Sequence, residues 1–406
     1  MSSRASAPAG RERVARRIEE LLALRSAASE RFFDDAAEPL ARLCHRAAER
    51  FSRGGRLLAI AHSPQACSDA RHVAVEFVHP VIVGKRALPA LALTGAGAAL
   101  RERVELSAEP ADIVIAFGCD GATAAALAEA ARRGCLTVAF EPVGAEWEFE
   151  PPVADPFVRQ ELAETAYHVL WELVHVFFEH RGLLTGRDAG PVHDAGASSF
   201  LYPFLAEGEH DLEHVLDDVR RSIALKAQET TALRAQTLAE GGETLIAAAR
   251  MLRERLDAGG TLLALGNGGS ATDAMDAVAD FREPPGDWPA RRALDLAEDP
   301  AILTAIANDV GVQAIFARQL IAHGRDGDAL LALSTSGGSA NVIAALAEAR
   351  ARGLETIAMV GYDGGPIAAD GLADHVLVTR SQHIPRIQEA QASACHVLRE
   401  LIETVA

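Results

Sequence analysis

Two short stretches in the second half of the chain have residue types suited to holding a phosphate. Gly266-Asn-Gly-Gly-Ser270 follows a short apolar run and precedes a helical pattern, and Ser334-Thr-Ser-Gly-Gly-Ser339 has the same kind of place further on. Glycine lets the backbone approach an anion closely, and a helix start offers unpaired N–H groups and a partial positive charge. The four hydroxyls of the second stretch, with such amides, can wrap a phosphate without Lys or Arg. Either loop alone reads equally well as a turn with an N-cap serine. Two of them at matching strand ends, on the side where open α/β sheets take ligands, favour an anion site.

The chain repeats itself. Gly54-Gly55-Arg-Leu-Leu-Ala-Ile-Ala-His62 reappears as Gly259-Gly260-Thr-Leu-Leu-Ala-Leu-Gly-Asn267. Asp69, His72, Glu76 and Phe77 line up with Asp273, Asp276, Asp280 and Phe281, and Gln160 and His168 with Gln388 and His396. Such self-similarity in constant order marks a duplication. In the first copy Ala61-His-Ser-Pro-Gln-Ala66 and Phe117-Gly-Cys-Asp-Gly121 stand where the phosphate loops would be, and Asp120 would repel a phosphate. The segment Thr304–Gly311, with Asn308 and Asp309, has no counterpart there.

The elements that must position these residues follow one plan twice. A long amphipathic helix leads in, over about 11–50 and about 210–257, and a buried strand follows, Leu57–Ala61 and Leu262–Leu265. Strand–helix alternation continues through Ile113–Phe117 and Ala122–Arg133 in one copy, and Ala329–Leu333 and Ala340–Arg352 in the other, before a closing helix. That alternation predicts an α/β chain with two doubly wound parallel sheets. We expect domains over 1–181 and 210–406, joined by a Gly-, Pro- and Ser-bearing linker over 182–209.

The formal charge of −18 excludes a basic nucleic-acid footprint but not a single anionic ligand held by amides and hydroxyls. Five cysteines without a Cys-x-x-Cys pair suggest neither a disulfide framework nor a zinc knuckle. With no apolar run of membrane-spanning length, a soluble cytoplasmic protein with no membrane partner is expected.

Blocks of the second half, GNGGSATDA, ILTAIANDVGVQAIFARQL, LALSTSGGSANVIAALAEARARGLETIAMVGYDGG and HIPRIQEAQASACHVLRELIE, resemble the phosphoheptose isomerases in family order. The resemblance implies two tandem domains of the SIS (sugar isomerase) type, the first a degenerate copy. It implies interconversion of sedoheptulose 7-phosphate and glycero-manno-heptose 7-phosphate through an enediol, with Asn267, Ser270, Asn308, Asp309, Ser334, Thr335, Ser336, Ser339 and Gln388 on the substrate.

The family supplies its chemistry from a His-x-x-x-Glu helix and a Gln-x7-His helix, and some members hold zinc on these four groups. The spacing suits the task, since positions i and i+4 share a helix face. Carried over, Glu76 is the expected base, His168 or His396 the acid, and His72, Glu76, Gln160 and His168 the Zn2+ ligands. The second copy departs from the pattern, with Asp276 and Asp280 at the His and Glu positions. The copies therefore look complementary, chemistry in the first and phosphate binding in the second, and a site shared by the two halves is expected. The alternative is a non-catalytic phosphosugar-binding regulator or assembly protein of the same fold. An amino-sugar isomerase is a third reading, because glucosamine-6-phosphate synthase also carries tandem SIS domains. Family tetramers of single domains imply a homodimer here, with four domains.

Overall fold

The computed structural model describes residues 6–82, 84–179, 183–184 and 211–405. The expected linker lies outside the described residues apart from 183 and 184. The chain forms two compact units, Ala28–Glu229 and Met1–Ala27 with Thr230–Ala406.

In the first unit the elements run α1 (Ser6–Ser52, its later part), β1 (Leu57–Ala61), α2 (Pro64–Val78), β2 (Ala90–Thr94), α3 (Ala98–Ser107), β3 (Ile113–Phe117), α4 (Gly121–Arg132), β4 (Leu136–Ala139), β5 (Trp147–Glu148) and α5 (Pro156–Glu179). In the second they run α6 (Leu212–Asp257, from Thr230), β6 (Leu262–Leu265), α7 (Gly269–Arg282), β7 (Ala293–Asp295), α8 (Pro300–Asp309), α9 (Ala317–His323), β8 (Ala329–Ser334), α10 (Ala340–Ala351), β9 (Glu355–Gly361), α11 (Gly365–Ala369), β10 (His375–Thr379) and α12 (Ile384–Thr404).

Each unit has a five-stranded sheet, ordered β2-β1-β3-β4-β5 and β10-β9-β8-β6-β7, and neighbouring strands pair in parallel throughout. The two orders are the same topology, so the duplication read from the sequence is a duplication of fold. The connection from β7 to β8 holds two helices, α8 and α9, where β2 to β3 has only α3. That is where Thr304–Gly311 finds no counterpart.

Alternation along the strands splits each core into two layers. Leu262, Ala264, Leu331 and Met359 face one way with residues of α6, α7 and α12, and Val14, Ile18 and Leu21 of α1 join them. Leu263, Leu265, Leu330 and Ala332 face the other way with α9 and α10. In the first unit Leu58, Ile60, Val114 and Ala116 pack with α3 and α4.

The Gly-Gly anchors have a steric origin. Gly54 and Gly259 end the leading helices at φ +87° and +92°. A Cβ on Gly55 would lie 2.1 Å from the Ala111 carbonyl oxygen, and one on Gly260 2.4 Å from that of Gly327. A second shared device is a carboxylate before the third strand. Asp112 accepts from the Arg56 and Glu109 amides at 2.8 and 2.9 Å, and Asp328 from the Thr261 and Arg325 amides at 2.8 and 2.9 Å. Among the described residues no helix is long and apolar enough to cross a membrane.

Candidate active site

In the second unit β6 and β8 are neighbours, yet the chain leaves β6 for β7 on the other side. The carboxyl ends of β6 and β8 therefore flank the switch point where doubly wound sheets bind ligands. Gly266–Ser270 and Ser334–Ser339 lie there. Gly268 has φ +58° and Gly337 +60°, and a Cβ on Gly266 would fall 2.1 Å from the Ser270 carbonyl oxygen. The loops are tied together by a reciprocal amide pair, Asn267 Nδ2 to Asn341 Oδ1 at 3.0 Å and Asn341 Nδ2 to Asn267 Oδ1 at 2.8 Å. Ser334 Oγ accepts from the Gly337 amide and Ser336 Oγ from the Gly338 amide, each at 3.2 Å. Ser270 is buried, and Thr335 and Ser339 are half-buried.

The helix starts behind these loops lack a side-chain cap: neither Gly268 before α7 nor Ser339 before α10 makes a capping hydrogen bond from its side chain. Among the described residues no carboxylate caps either helix start, and in α10 the Val342 amide donates to Asn341 Oδ1 at 3.0 Å. Asn308 and Asp309 are exposed at the end of α8, bonded to each other at 2.7 Å, outside this loop network.

The first unit closes the equivalent positions with its own side chains. Ser63 accepts from the Ala66 amide at 3.4 Å and Pro64 opens α2. Asp120 accepts from the Ala122 and Thr123 amides at 2.9 and 3.0 Å and from the Thr123 hydroxyl at 2.8 Å. Burial opposes ionisation of Asp120, but these bonds and nearby His62 outweigh it and hold its pKa below the usual aspartate value. Asp120 thus occupies the α4 N-terminus as a built-in anion, and His62 Nδ1 is turned to the Gly95 carbonyl at 2.9 Å.

What the first unit keeps is a buried cluster between α2 and α5. His72 and Glu76 share one face of α2, and Gln160, Glu164 and His168 recur every four residues on α5. His72 Nε2 and His168 Nε2 are 3.2 Å apart, and Glu76 Oε1 is 3.8 Å from His72 Nε2. Gln160 bonds Asp69 Oδ2 at 3.1 Å, with the Tyr167 hydroxyl on the other oxygen at 3.4 Å. Ligand atoms of His72, Glu164 and His168 lie within 4.8 Å of one another. Two imidazole nitrogens on one tetrahedral zinc at ~2.0–2.1 Å are separated by about 3.3 Å, so the observed 3.2 Å fits that ion. The residues therefore suit zinc, through His72, His168 and a glutamate that the sequence motif did not name.

In the second unit Asp276 and Asp280 of α7 meet His396 of α12. His396 Nε2 is 3.2 Å from Asp276 Oδ2 and 3.5 Å from Asp280 Oδ2. His396 and Gln388, two turns apart on α12, are both buried.

Comparison with known proteins places this geometry. A SIS domain model matches residues 227–361. The phosphoheptose isomerase of Pelodictyon phaeoclathratiforme is 41% identical over 195 residues, 47% of this chain and 88% of that enzyme. That of Roseiflexus sp. is 39% identical over 197 residues, 47% of this chain and 91% of the enzyme. The chain belongs to the phosphoheptose isomerase family of SIS-domain proteins. The tandem arrangement has its own parallel: the C-terminal domain of glucosamine-fructose-6-phosphate aminotransferase from Francisella tularensis covers 93% of this chain and 96% of its own length, at TM-score 0.55 and 10% identity. That likeness is one of fold. The SIS match takes in the open loops and the Asp276–Asp280 pair. The phosphoheptose isomerase pattern of His and Glu on one helix with Gln and His on another is complete only in the first unit, where the helix caps are filled.

Proposed function

We propose that this protein is an aldose–ketose isomerase of a phosphorylated sugar, with sedoheptulose 7-phosphate the expected substrate. The observation that carries the reading is the buried convergence of Glu76, His72 and His168 in one half of a chain whose other half keeps two uncapped phosphate loops. Ser270, Ser334, Thr335, Ser336 and Ser339 are assigned to the phosphate, with Asn267 and Asn341 fixing the loops. Asn308, Asp309 and Gln388 are assigned to the sugar hydroxyls.

The reaction moves a proton between C1 and C2. Glu76 removes the proton from C1 of the ketose and returns it to C2. His168, through the ring nitrogen that would not hold a metal, gives a proton to the C2 carbonyl oxygen and takes back the one that the C1 hydroxyl loses. Zinc, when bound through His72, Glu164 and His168, would supply Lewis-acid polarisation of that carbonyl. His396, the other candidate acid, lies between two carboxylates, so we assign the transfer to His168. The expected assembly is a homodimer, and a light-scattering mass of one chain would reject it.

The test is exchange of the C1 and C2 protons with D₂O, followed by NMR, in the parent and in Glu76→Gln. Loss of a general base should slow exchange by roughly 10²–10⁴-fold. Undiminished exchange in Glu76→Gln would remove the chemistry from the first half. A second reading, a phosphosugar-binding regulator, draws on Asp276 and Asp280 standing where the family has His and Glu. Saturable binding of the sugar phosphate with no exchange in the parent would favour it.

A further inference from the structure

We propose that Tyr362 is a further phosphate ligand, its hydroxyl donating to the anion held by Ser334–Ser339. The inference rests on that assignment of the loop and adds to it a residue from another strand end.

Among the described residues Tyr362 is the one non-glycine with a left-handed backbone, at φ +54°. A Cβ is crowded there, so such residues are costly and gather where a side chain is needed at a fixed place. The turn that holds it, Gly361–Gly364, closes with the Gly364 amide on the Gly361 carbonyl at 2.8 Å. A positive φ at the first central position alone is the pattern of a type II′ turn, which takes glycine there. Glycine stands at 361, 364 and 365, and tyrosine at the position that most favours glycine. The backbone gives no reason for an aromatic residue at 362, whereas a ligand does.

Location supplies the ligand. The turn leaves the carboxyl end of β9, beside β8, whose own end runs into Ser334–Ser339. The two segments interlock through their backbones. A Cβ on Gly361 would lie 2.5 Å from the Thr335 carbonyl oxygen, one on Gly365 2.6 Å from that of Ser336, and one on Gly337 would collide with the Gly364 carbonyl. The Ile367 amide donates to the Gly337 carbonyl at 3.1 Å. Tyr362 is therefore fixed beside the phosphate loop, where it is half-buried, and its hydroxyl bonds no other described residue. Asp363, the carboxylate of the turn, is exposed and accepts from the Gly365 amide at 3.1 Å. A neutral hydroxyl donor suits a loop that holds phosphate with Ser and Thr and no Lys or Arg. The first unit lacks the device. After β4, the strand that matches β9, the Val143 and Ala145 amides wrap Glu148 Oε1 at 2.9 and 3.0 Å, so that turn, like the α4 start, supplies its own anion.

The experiment is titration of the full-length chain with inorganic phosphate, followed by phosphorus NMR, beside urea unfolding of each variant. Tyr362→Phe keeps the ring and its backbone strain and removes only the hydroxyl, so affinity should fall roughly 10–100-fold with the urea midpoint unchanged. Tyr362→Ala and Tyr362→Gly both lose the phenol and differ in the Cβ alone. They should bind equally weakly, at least tenfold below the parent, although the glycine variant unfolds at the higher urea concentration of the two. A residue that only shapes the turn would behave otherwise, with phosphate affinity recovering alongside stability in Tyr362→Gly. That recovery, or parental affinity in Tyr362→Phe, overturns the proposal. So does a parent that takes up no phosphate, which removes the loop assignment as well. Phosphate bound through Tyr362 by a chain that shows no exchange at C1 and C2 upholds the inference and rejects only the isomerase reading.

Discussion

The contrast between Asp120 and Ser339 makes a crossed prediction. Both precede helices at the carboxyl end of the third strand of their sheets, but Asp120 caps α4 and Ser339 caps nothing with its side chain. Asp120→Ala removes an acceptor from two helix amides and the Thr123 hydroxyl, worth about 1 kcal/mol as a cap, and a negative charge at a helix start, worth about 0.3–1 kcal/mol. The expected loss is therefore about 1.5–2 kcal/mol, and Asp120→Asn, which keeps a cap, should lose about 0.5 kcal/mol. Ser339→Ala breaks no capping bond and should stay within about 0.5 kcal/mol of the parent. For sugar-phosphate affinity the order reverses. A hydroxyl bonding a charged phosphate contributes about 1.5–3 kcal/mol, so Ser339→Ala should weaken binding by roughly 10–100-fold while Asp120→Ala leaves it unchanged.

Urea unfolding and titration calorimetry measure the two sides. The acid limb adds a check on sign. The folded pKa of Asp120 is below its ordinary value of 3.8, so its stabilisation is present above that pH and is lost as pH falls through the folded value. Asp120→Asn should flatten that part of the profile. Equal destabilisation by Ser339→Ala and Asp120→Ala, with binding untouched in both, would refute the claim that one cradle is open and the other filled.

Three further outcomes are expected. Glu164→Gln should weaken zinc binding by about 100-fold in chelator competition, whereas Gln160→Ala, whose amide serves Asp69, should change it less than tenfold. Burial, with Lys85 adding, pushes the His175 pKa down to about 4, so the unfolded chain takes up a proton between about 6.5 and 4 that the native imidazole refuses. Stability should fall by up to about 3 kcal/mol over that descent, and the pH slope of the guanidinium midpoint should shrink in His175→Leu. Gly260→Ala would bring a methyl to 2.4 Å from the Gly327 carbonyl oxygen and should cost about 1–3 kcal/mol in a urea melt.

How far the sequence discloses this molecule depends on whether a residue's role is local. The strands Leu57–Ala61 and Leu262–Leu265 are buried at every position, so their apolar runs were legible with correct bounds. The two glycine- and serine-bearing segments were legible as strand–helix junctions, and they lie between β6 and α7 and between β8 and α10. Glu164 was not. Its place four residues from both Gln160 and His168 on α5 was the signal available, but the motif names only the Gln and the last His, and Glu161 and Glu172 are buried on the same helix. Glu172 in fact meets Lys226 from α6, a contact between positions far apart in the chain. The motif pairs Gln160 with the histidines, and its Nε2 donates to Asp69, one turn before His72 on α2.

Asp120 bears most directly on what became of the duplicated fold. The sequence marks it as a charge that would repel phosphate, and the structure shows it using the donors that a phosphate would use. A capped helix start is more stable than an open one, so once a copy is relieved of binding phosphate, a capping residue is favoured there on stability alone. The same relief does not explain a retained Glu76, His72 and His168, since burying such groups is costly unless they hold an ion or do chemistry. Decay without function would remove the buried ionisable cluster first and leave the exposed loops to drift. The first half shows the opposite order, losing its open loops and keeping its buried cluster, and that order favours a half maintained for its chemistry.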